Sequence, residues 1–260
     1  MRVAALLLLA SSCSCSAWIA AVCRPSMCCT RSGFGPFCLA DSLPESASKN
    51  IPPGQLADAW RREEKAKELG EALKGCSLYL IGMSSRKNAI GRILARRLPR
   101  YRFYDQTALM CSTYQQLSKS TETLSIGQLL ASEPISDIEK LSSALLIELQ
   151  QYTRSVHVMW EGAISTSNYA IMQQGLVINL AEETRSNVTA HPVEISEETL
   201  AKWMAGHKKA DITLTVREDD VADDATFELI ETVIAFIHAN PAKSKEWKAR
   251  ADSAIAAQDE

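Results

Sequence analysis

The chain has 260 residues, and 46% of them are hydrophobic, which is enough for one sizeable core with appendages. The formal net charge is −3 at pH 7, and acidic and basic residues are interspersed after residue 50. Such a mixture creates no strong field that would attract nucleic acid or an anionic membrane. We therefore expect a globular protein with no nucleic-acid partner.

The first 40 residues have the composition of a targeting sequence. Their charged residues are Arg2, Arg24 and Arg31, no acidic residue precedes Asp41, and Ser and Cys recur among small apolar residues. This bias is typical of an organellar transit peptide, so residues 1–50 are predicted to be a transit peptide and linker. The apolar run after Arg2 leaves a secretory signal peptide open, and a mitochondrial route is the third possibility. Polar residues interrupt that run too early for a membrane span of about 20 residues.

The cysteines are concentrated in this leader. Six of the eight precede residue 39, and only Cys76 and Cys111 fall in the apparent core. A disulfide framework would be distributed through the folded body. The spacing also lacks the Cys pairs and downstream histidines of a zinc site. We expect reduced cysteines and no bound metal.

After the leader, predicted helices and strands alternate along the chain. Predicted strands occupy residues 78–81, 156–160, 176–180 and 212–216. Predicted helices occupy residues 57–74, 89–97, 137–152 and 223–239. Short apolar strands separated by helices indicate an α/β fold with a parallel sheet covered on both faces.

This order divides the chain into three further parts. Residues 51–74 form a leading helix, residues 75–240 form the main domain, and residues 241–260 form a charged, Ala-rich tail. The tail is expected to be a solvated end, with a frayed docking helix as the alternative.

The turn after the first predicted strand looks like an altered phosphate-binding loop. Such a loop has the pattern Gly-x-x-x-x-Gly-Lys-[Ser/Thr], because unhindered backbone N–H groups must surround phosphate at a helix N-terminus. Here the turn reads GMSSRKNAIG from Gly82 to Gly91. Arg86 stands before Lys87 in place of glycine, and Asn88 replaces the hydroxyl residue that binds Mg²⁺. An ordinary turn with a surface lysine is the alternative interpretation.

On this loop the chain resembles the shikimate kinase family, and the resemblance covers roughly residues 73–240. It implies a P-loop kinase-like fold of the nucleoside-monophosphate-kinase type, a parallel five-stranded sheet flanked by helices. It also implies nucleotide-binding positions, which are Gly82, Lys87, Asn88 and Asp105 in this sequence. Compared with the family, the loop is one residue short. Asp105 has an alternative interpretation as a helix cap.

The family's substrate-binding residues are replaced in this sequence. The resemblance places Thr107 where a second Asp holds substrate hydroxyls, and Glu139 where an Arg binds the shikimate carboxylate. Because a carboxylate repels an anionic substrate, Glu139 argues against shikimate.

Two further family segments are altered. Trp160, Glu161 and Gly162 replace a Gly-Gly-Gly turn that contacts substrate, and His191 replaces the arginine of the lid. Trp160 is equally interpretable as a core aromatic residue, and His191 as a solvated loop residue.

Phosphoryl transfer depends on positioning and on neutralising charge, so these losses argue against catalysis. We therefore predict an inactive, shikimate kinase-like protein with no catalytic residue and no ATP or Mg²⁺. The resemblance to plant shikimate kinase-like proteins implies a regulatory role in chloroplast development through an unknown protein partner. Two alternatives stay open. One is a small-molecule kinase that uses Lys87 and Asp105 on a substrate without a carboxylate, and the other is a nucleotide or metabolite sensor without turnover.

Overall fold

The structure is a computed structural model that describes residues 53–119, 124–164, 166–182, 195–217 and 219–256. The predicted transit peptide and linker, residues 1–50, lie outside this part of the chain. The strands are β1 (Leu78–Ile81), β2 (Arg102–Asp105), β3 (Ser155–Val158), β4 (Leu176–Glu182) and β5 (Ile212–Val216). The helices before β3 are α1 (Pro53–Leu73), α2 (Lys87–Arg97), α3 (Gln106–Ser118), α4 (Ile126–Ser132) and α5 (Ile135–Leu149). After β3 follow a 3₁₀ turn (Glu161–Ala163) and helices α6 (Thr166–Met172), α7 (Glu197–His207), α8 (Ala222–Ala239) and α9 (Pro241–Ala256).

The five strands form one parallel sheet in the order β2-β3-β1-β4-β5. The prediction of a five-stranded parallel sheet flanked by helices is therefore confirmed. β1 lies at the centre, with β2 and β3 on one side and β4 and β5 on the other. In open α/β sheets, ligands bind beyond the carboxyl ends of the strands near such a central strand.

Both faces of the sheet are buried at its central strand, and the alternation of side chains along β1 shows why. Leu78 and Leu80 belong to one apolar cluster, whereas Tyr79 and Ile81 belong to a second cluster on the opposite face. Successive side chains of a strand point to opposite faces, so a strand covered on both sides must be apolar at every position.

A stack of rings crosses three strands on one face. His157 of β3 is stacked against Tyr79 of β1, with ring centroids 4.8 Å apart, and against Tyr104 of β2 at 5.3 Å. The three residues share a register position across the sheet. Burial lowers the pKa of His157 to about 3, so its ring is neutral at pH 7.

Helices at both ends of the described chain cover the other face. Leu69 and Leu73 of α1 and Trp247 of α9 are buried in the same cluster as Leu78 and Leu80. The expectation of a solvated C-terminal end is therefore wrong. A charged, Ala-rich segment still forms a packed helix here, because Trp247, only 4% exposed, anchors it.

Within the described ranges, no helix combines the length and the apolar character that a membrane span requires.

Candidate functional site

The loop after β1 begins at a glycine that no other residue could replace without strain. Gly82 has φ +109°, and a Cβ atom there would lie 2.3 Å from Leu180 O and 2.6 Å from Asn179 Oδ1. The backbone of Ser84 in turn donates to Leu180 O at 3.3 Å. The loop therefore lies directly against the carboxyl end of β4, and only glycine fits at its start.

Lys87 begins α2 and turns its ammonium group back towards the loop. Its Nζ atom donates to the carbonyl oxygen of Gly82 at 2.7 Å and lies 3.4 Å from Glu161 Oε1. Only 5% of the residue is exposed. A buried ammonium is held beside the positive-φ glycine, which argues against the interpretation of Lys87 as a surface lysine.

Asn88, the second residue of α2, presents a buried oxygen without a hydrogen-bond partner among the described residues. A buried acceptor left unpaired costs about 1–3 kcal/mol. Among the described residues, no side-chain hydrogen bond caps the N-terminus of α2, where the partial positive charge of the helix lies. The start of α2 therefore combines an ammonium, a free acceptor and an uncapped helix end.

Asp105 and Thr107 lie at the junction of β2 and α3. Asp105 is the N-cap of α3, and its Oδ1 accepts a hydrogen bond from the backbone N–H of Ala108 at 3.1 Å. Asp105 pairs with Val158 of β3 in the sheet register, so it lies at the same carboxyl edge as the start of the 3₁₀ turn. Thr107 is half-buried in the first turn of α3.

A buried polar network beneath this junction was not identified from the sequence. Gln106 Nε2 donates to Ser142 O at 3.1 Å and lies 3.0 Å from Ser142 Oγ. Trp160 donates from its backbone N to Gln106 Oε1 at 3.3 Å and from Nε1 to Ser142 Oγ at 2.8 Å. The network fixes the chain after β3 against α3 and α5. A single polar residue within an apolar helix face, Ser142 in α5, was the only sequence signal.

Two indole rings occupy the space beside this network. Trp160 and Trp203 of α7 are both buried and meet edge to face, with centroids 5.2 Å apart. A Cβ atom on Gly162 would lie 2.4 Å from the Trp160 ring and 2.6 Å from the Trp203 ring. Gly162 is thus required for packing between the indoles.

Glu161 connects this packed region to Lys87. Its carboxylate pairs with the Lys87 ammonium, and its carbonyl oxygen accepts a hydrogen bond from His207 Nε2 at 3.1 Å. Burial lowers the pKa of His207 to about 4, so the ring is neutral at pH 7 and donates from Nε2.

The remaining predicted positions lie apart from Lys87. Glu139 of α5 pairs with Lys202 of α7 at 3.2 Å, so its charge is partly neutralised. His191 lies outside the described residues. The structure therefore brings Gly82, Lys87 and Glu161 into contact, whereas Glu139 contacts α7.

In sequence the chain is similar to shikimate kinases of cyanobacteria. It is 34% identical over 108 residues to the shikimate kinase of Gloeobacter violaceus, covering 41% of this chain and 56% of that protein. It is 32% identical over 125 residues to that of a Synechococcus species, covering 46% and 59%. It is 25% identical over 185 residues to that of Microcystis aeruginosa, covering 64% and 93%. The chain thus spans a little more than half the length of the first two relatives. No family model matches it.

Solved shikimate kinases are similar in structure at low sequence identity. That of Bacteroides thetaiotaomicron has a TM-score of 0.48 and 15% identity, covering 62% of this chain and 98% of the other. That of Acinetobacter baumannii in complex with shikimate has a TM-score of 0.47 and 20% identity, covering 66% and 98%. The fold described above rests on the strand order of the chain itself and not on these scores.

The predictions of an inactive protein and of absent ATP and Mg²⁺ are wrong, since the similar proteins are all named as kinases. The error has a physical reason. The prediction treated each glycine missing from the motif as a loss of phosphate binding. The structure nevertheless has a positive-φ Gly82, a buried Lys87 and, among the described residues, an unpaired Asn88 oxygen after β1.

Proposed function

We propose that the chain is a chloroplast member of the shikimate kinase family. In this proposal it uses MgATP to phosphorylate a hydroxyl group of a small molecule that lacks a carboxylate. The buried Lys87 ammonium, held beside the positive-φ glycine that follows the central strand, carries the proposal. A lysine in this place neutralises phosphate oxygens at a helix N-terminus.

The residues at the start of α2 fit a nucleotide with its metal ion. Lys87 and the backbone N–H groups of the first turn of α2 would hold phosphate oxygens. The unpaired Asn88 oxygen would contribute one ligand to Mg²⁺, which usually takes few protein ligands and keeps several waters. Asp105 would support the ion through its carboxylate, of which Oδ1 already caps α3. When bound, MgATP supplies the phosphoryl group that is transferred.

The residues on the predicted substrate side favour a substrate without a carboxylate. Glu139 in α5 and Glu161 in the 3₁₀ turn after β3 place two carboxylates on the predicted substrate side, and each already has a lysine partner. A substrate carboxylate would have to compete for those lysines. Trp160 and Trp203 fill the space beside the 3₁₀ turn, which favours a small substrate.

A test is ADP release by the full chain with MgATP, measured with shikimate and with a panel of carboxylate-free polyols. We expect turnover with at least one polyol and none above background with shikimate. Turnover with shikimate at the same efficiency would contradict the substrate assignment. MgATP binding without any ADP release across the panel would contradict the assignment as a kinase.

The chloroplast location is part of the same proposal and rests on the basic, Ser-rich leader before Asp41. A role in chloroplast development is part of the same proposal and rests on the resemblance to plant shikimate kinase-like proteins. A fluorescent protein fused behind residues 1–50 should enter plastids of plant cells. Accumulation in mitochondria or in the secretory pathway would contradict the proposed location.

A further inference from the structure

The Lys87 ammonium already has an anionic partner from within the chain. Its Nζ atom lies 3.4 Å from Glu161 Oε1, and among the described residues it also donates to the neutral carbonyl oxygen of Gly82 at 2.7 Å. The Lys87 side chain is only 6% exposed, so the ammonium has little freedom to turn elsewhere. A phosphate that binds Lys87 must therefore meet the Glu161 carboxylate.

The backbone of Glu161 is fixed, and part of its side chain is exposed to solvent. His207 of α7 donates to the Glu161 carbonyl oxygen at 3.1 Å. The next residue, Gly162, has no room for even a Cβ atom between Trp160 and Trp203. In contrast, 26% of the Glu161 side chain is exposed. A competing anion can thus reach the Glu161 carboxylate from solvent while the 3₁₀ turn stays in place.

We propose that Glu161 is a specificity-determining residue that competes with ligand anions for Lys87. The proposal rests on the proposed function, because nucleotide phosphate is the anion concerned. Two negative groups beside one buried ammonium repel each other, so only an anion that attracts Lys87 more strongly than a carboxylate can displace Glu161. The site therefore favours polyphosphates over singly charged anions.

The test is calorimetric titration of the full chain with inorganic tripolyphosphate, a probe that requires no turnover. Glu161→Gln keeps the shape of the side chain and removes the competing charge. We expect it to lower the Kd for tripolyphosphate about tenfold. The matched control is Glu182→Gln, because Glu182 accepts a hydrogen bond from Ser85 of the same loop at 3.3 Å. Glu182→Gln removes the same charge from a residue that does not pair with Lys87, so the Kd for tripolyphosphate should change by less than about twofold.

Two further variants connect the effect to the ion pair. In a Lys87→Met background, Glu161→Gln should change the tripolyphosphate Kd by a smaller factor than in the wild type, because the competition for the ammonium is gone and only direct repulsion remains. Glu161→Asp keeps the negative charge and should stay within about threefold of the wild-type Kd. If E161D tightens binding as much as E161Q does, charge is not the cause and the inference fails.

Equal Kd values for wild type and E161Q, or no tripolyphosphate binding by either, would also overturn the inference. Failure of the proposed function has a different signature. It would be tripolyphosphate binding that tightens in E161Q while the wild-type protein neither binds nor hydrolyses MgATP. Turnover of MgATP by a protein whose tripolyphosphate affinity is unchanged by E161Q would support the proposed function and overturn the inference about Glu161.

Discussion

At the scale of single residues, the site depends on backbone contacts that leave no tolerance for extra atoms. Gly82 must take φ +109°, and its missing Cβ leaves the space that Leu180 O and Asn179 Oδ1 occupy. The direction of Lys87 depends on this geometry, because the Gly82 carbonyl oxygen accepts its hydrogen bond. The presence of Gly82 and Lys87 is visible in the sequence. The contact between Lys87 and Glu161 is not, because it joins residues 74 positions apart.

Gly82→Ala should therefore destabilise the protein and disturb the loop. The added Cβ clashes with β4 backbone, and Ala rarely takes this φ, so we expect a loss of about 2–4 kcal/mol in the free energy of unfolding. Urea denaturation measures it. Gly54→Ala is the control, because its Cβ would meet nothing within 4 Å. A change below about 0.5 kcal/mol in G82A would contradict the description of the loop.

At the scale of elements, apolar periodicity predicted well two strands that contribute side chains to the core. β1 and β5 match their predicted bounds, because every residue of β1 is buried and β5 alternates strictly. The same pattern did not single out β2, whose four residues are exposed or half-buried. The pattern also predicted a solvated end where α9 packs, because a single aromatic residue, Trp247, anchors this charged helix.

Trp247→Ala tests whether α9 belongs to the fold. Trp247 is buried against the cluster that contains α1 and α8, so truncation should cost about 3–5 kcal/mol of unfolding free energy. Trp60→Ala in α1 is the matched control, since that indole is 65% exposed, and it should change stability by less than about 1 kcal/mol. Equal effects of the two substitutions in urea denaturation would show that α9 does not pack as described.

At the scale of the whole molecule, the sheet unites helices from both ends of the described chain. The division into residues 51–74, 75–240 and 241–260 stays a prediction.

Two histidines buried as neutral rings, His157 and His207, make the stability of the folded protein depend on pH. Burial lowers the pKa of His157 to about 3 and that of His207 to about 4. The unfolded chain binds protons near pH 6.5, before the folded protein does.

The stability that these two histidines contribute should therefore be fully present above about pH 7 and be lost as the pH drops below about 6.5, where the unfolded state takes up more protons. At pH 5 the loss is up to about 2 kcal/mol for each histidine. Urea denaturation at pH 7.5 and 5 measures it, and His157→Phe should reduce the difference by about half. Equal stability at both pH values would contradict the neutral, buried state of these rings.

The most direct single measurement is calorimetric titration of MgATP into the full chain, with Lys87→Met and Lys140→Met alongside. Lys140 of α5 is exposed and pairs with Asp137 of the same helix, so K140M controls for the loss of one positive charge. We predict saturable binding by the wild type and K140M, and at least about tenfold weaker binding by K87M. Absence of binding by the wild type, or equal binding by all three proteins, would contradict a nucleotide site at Lys87.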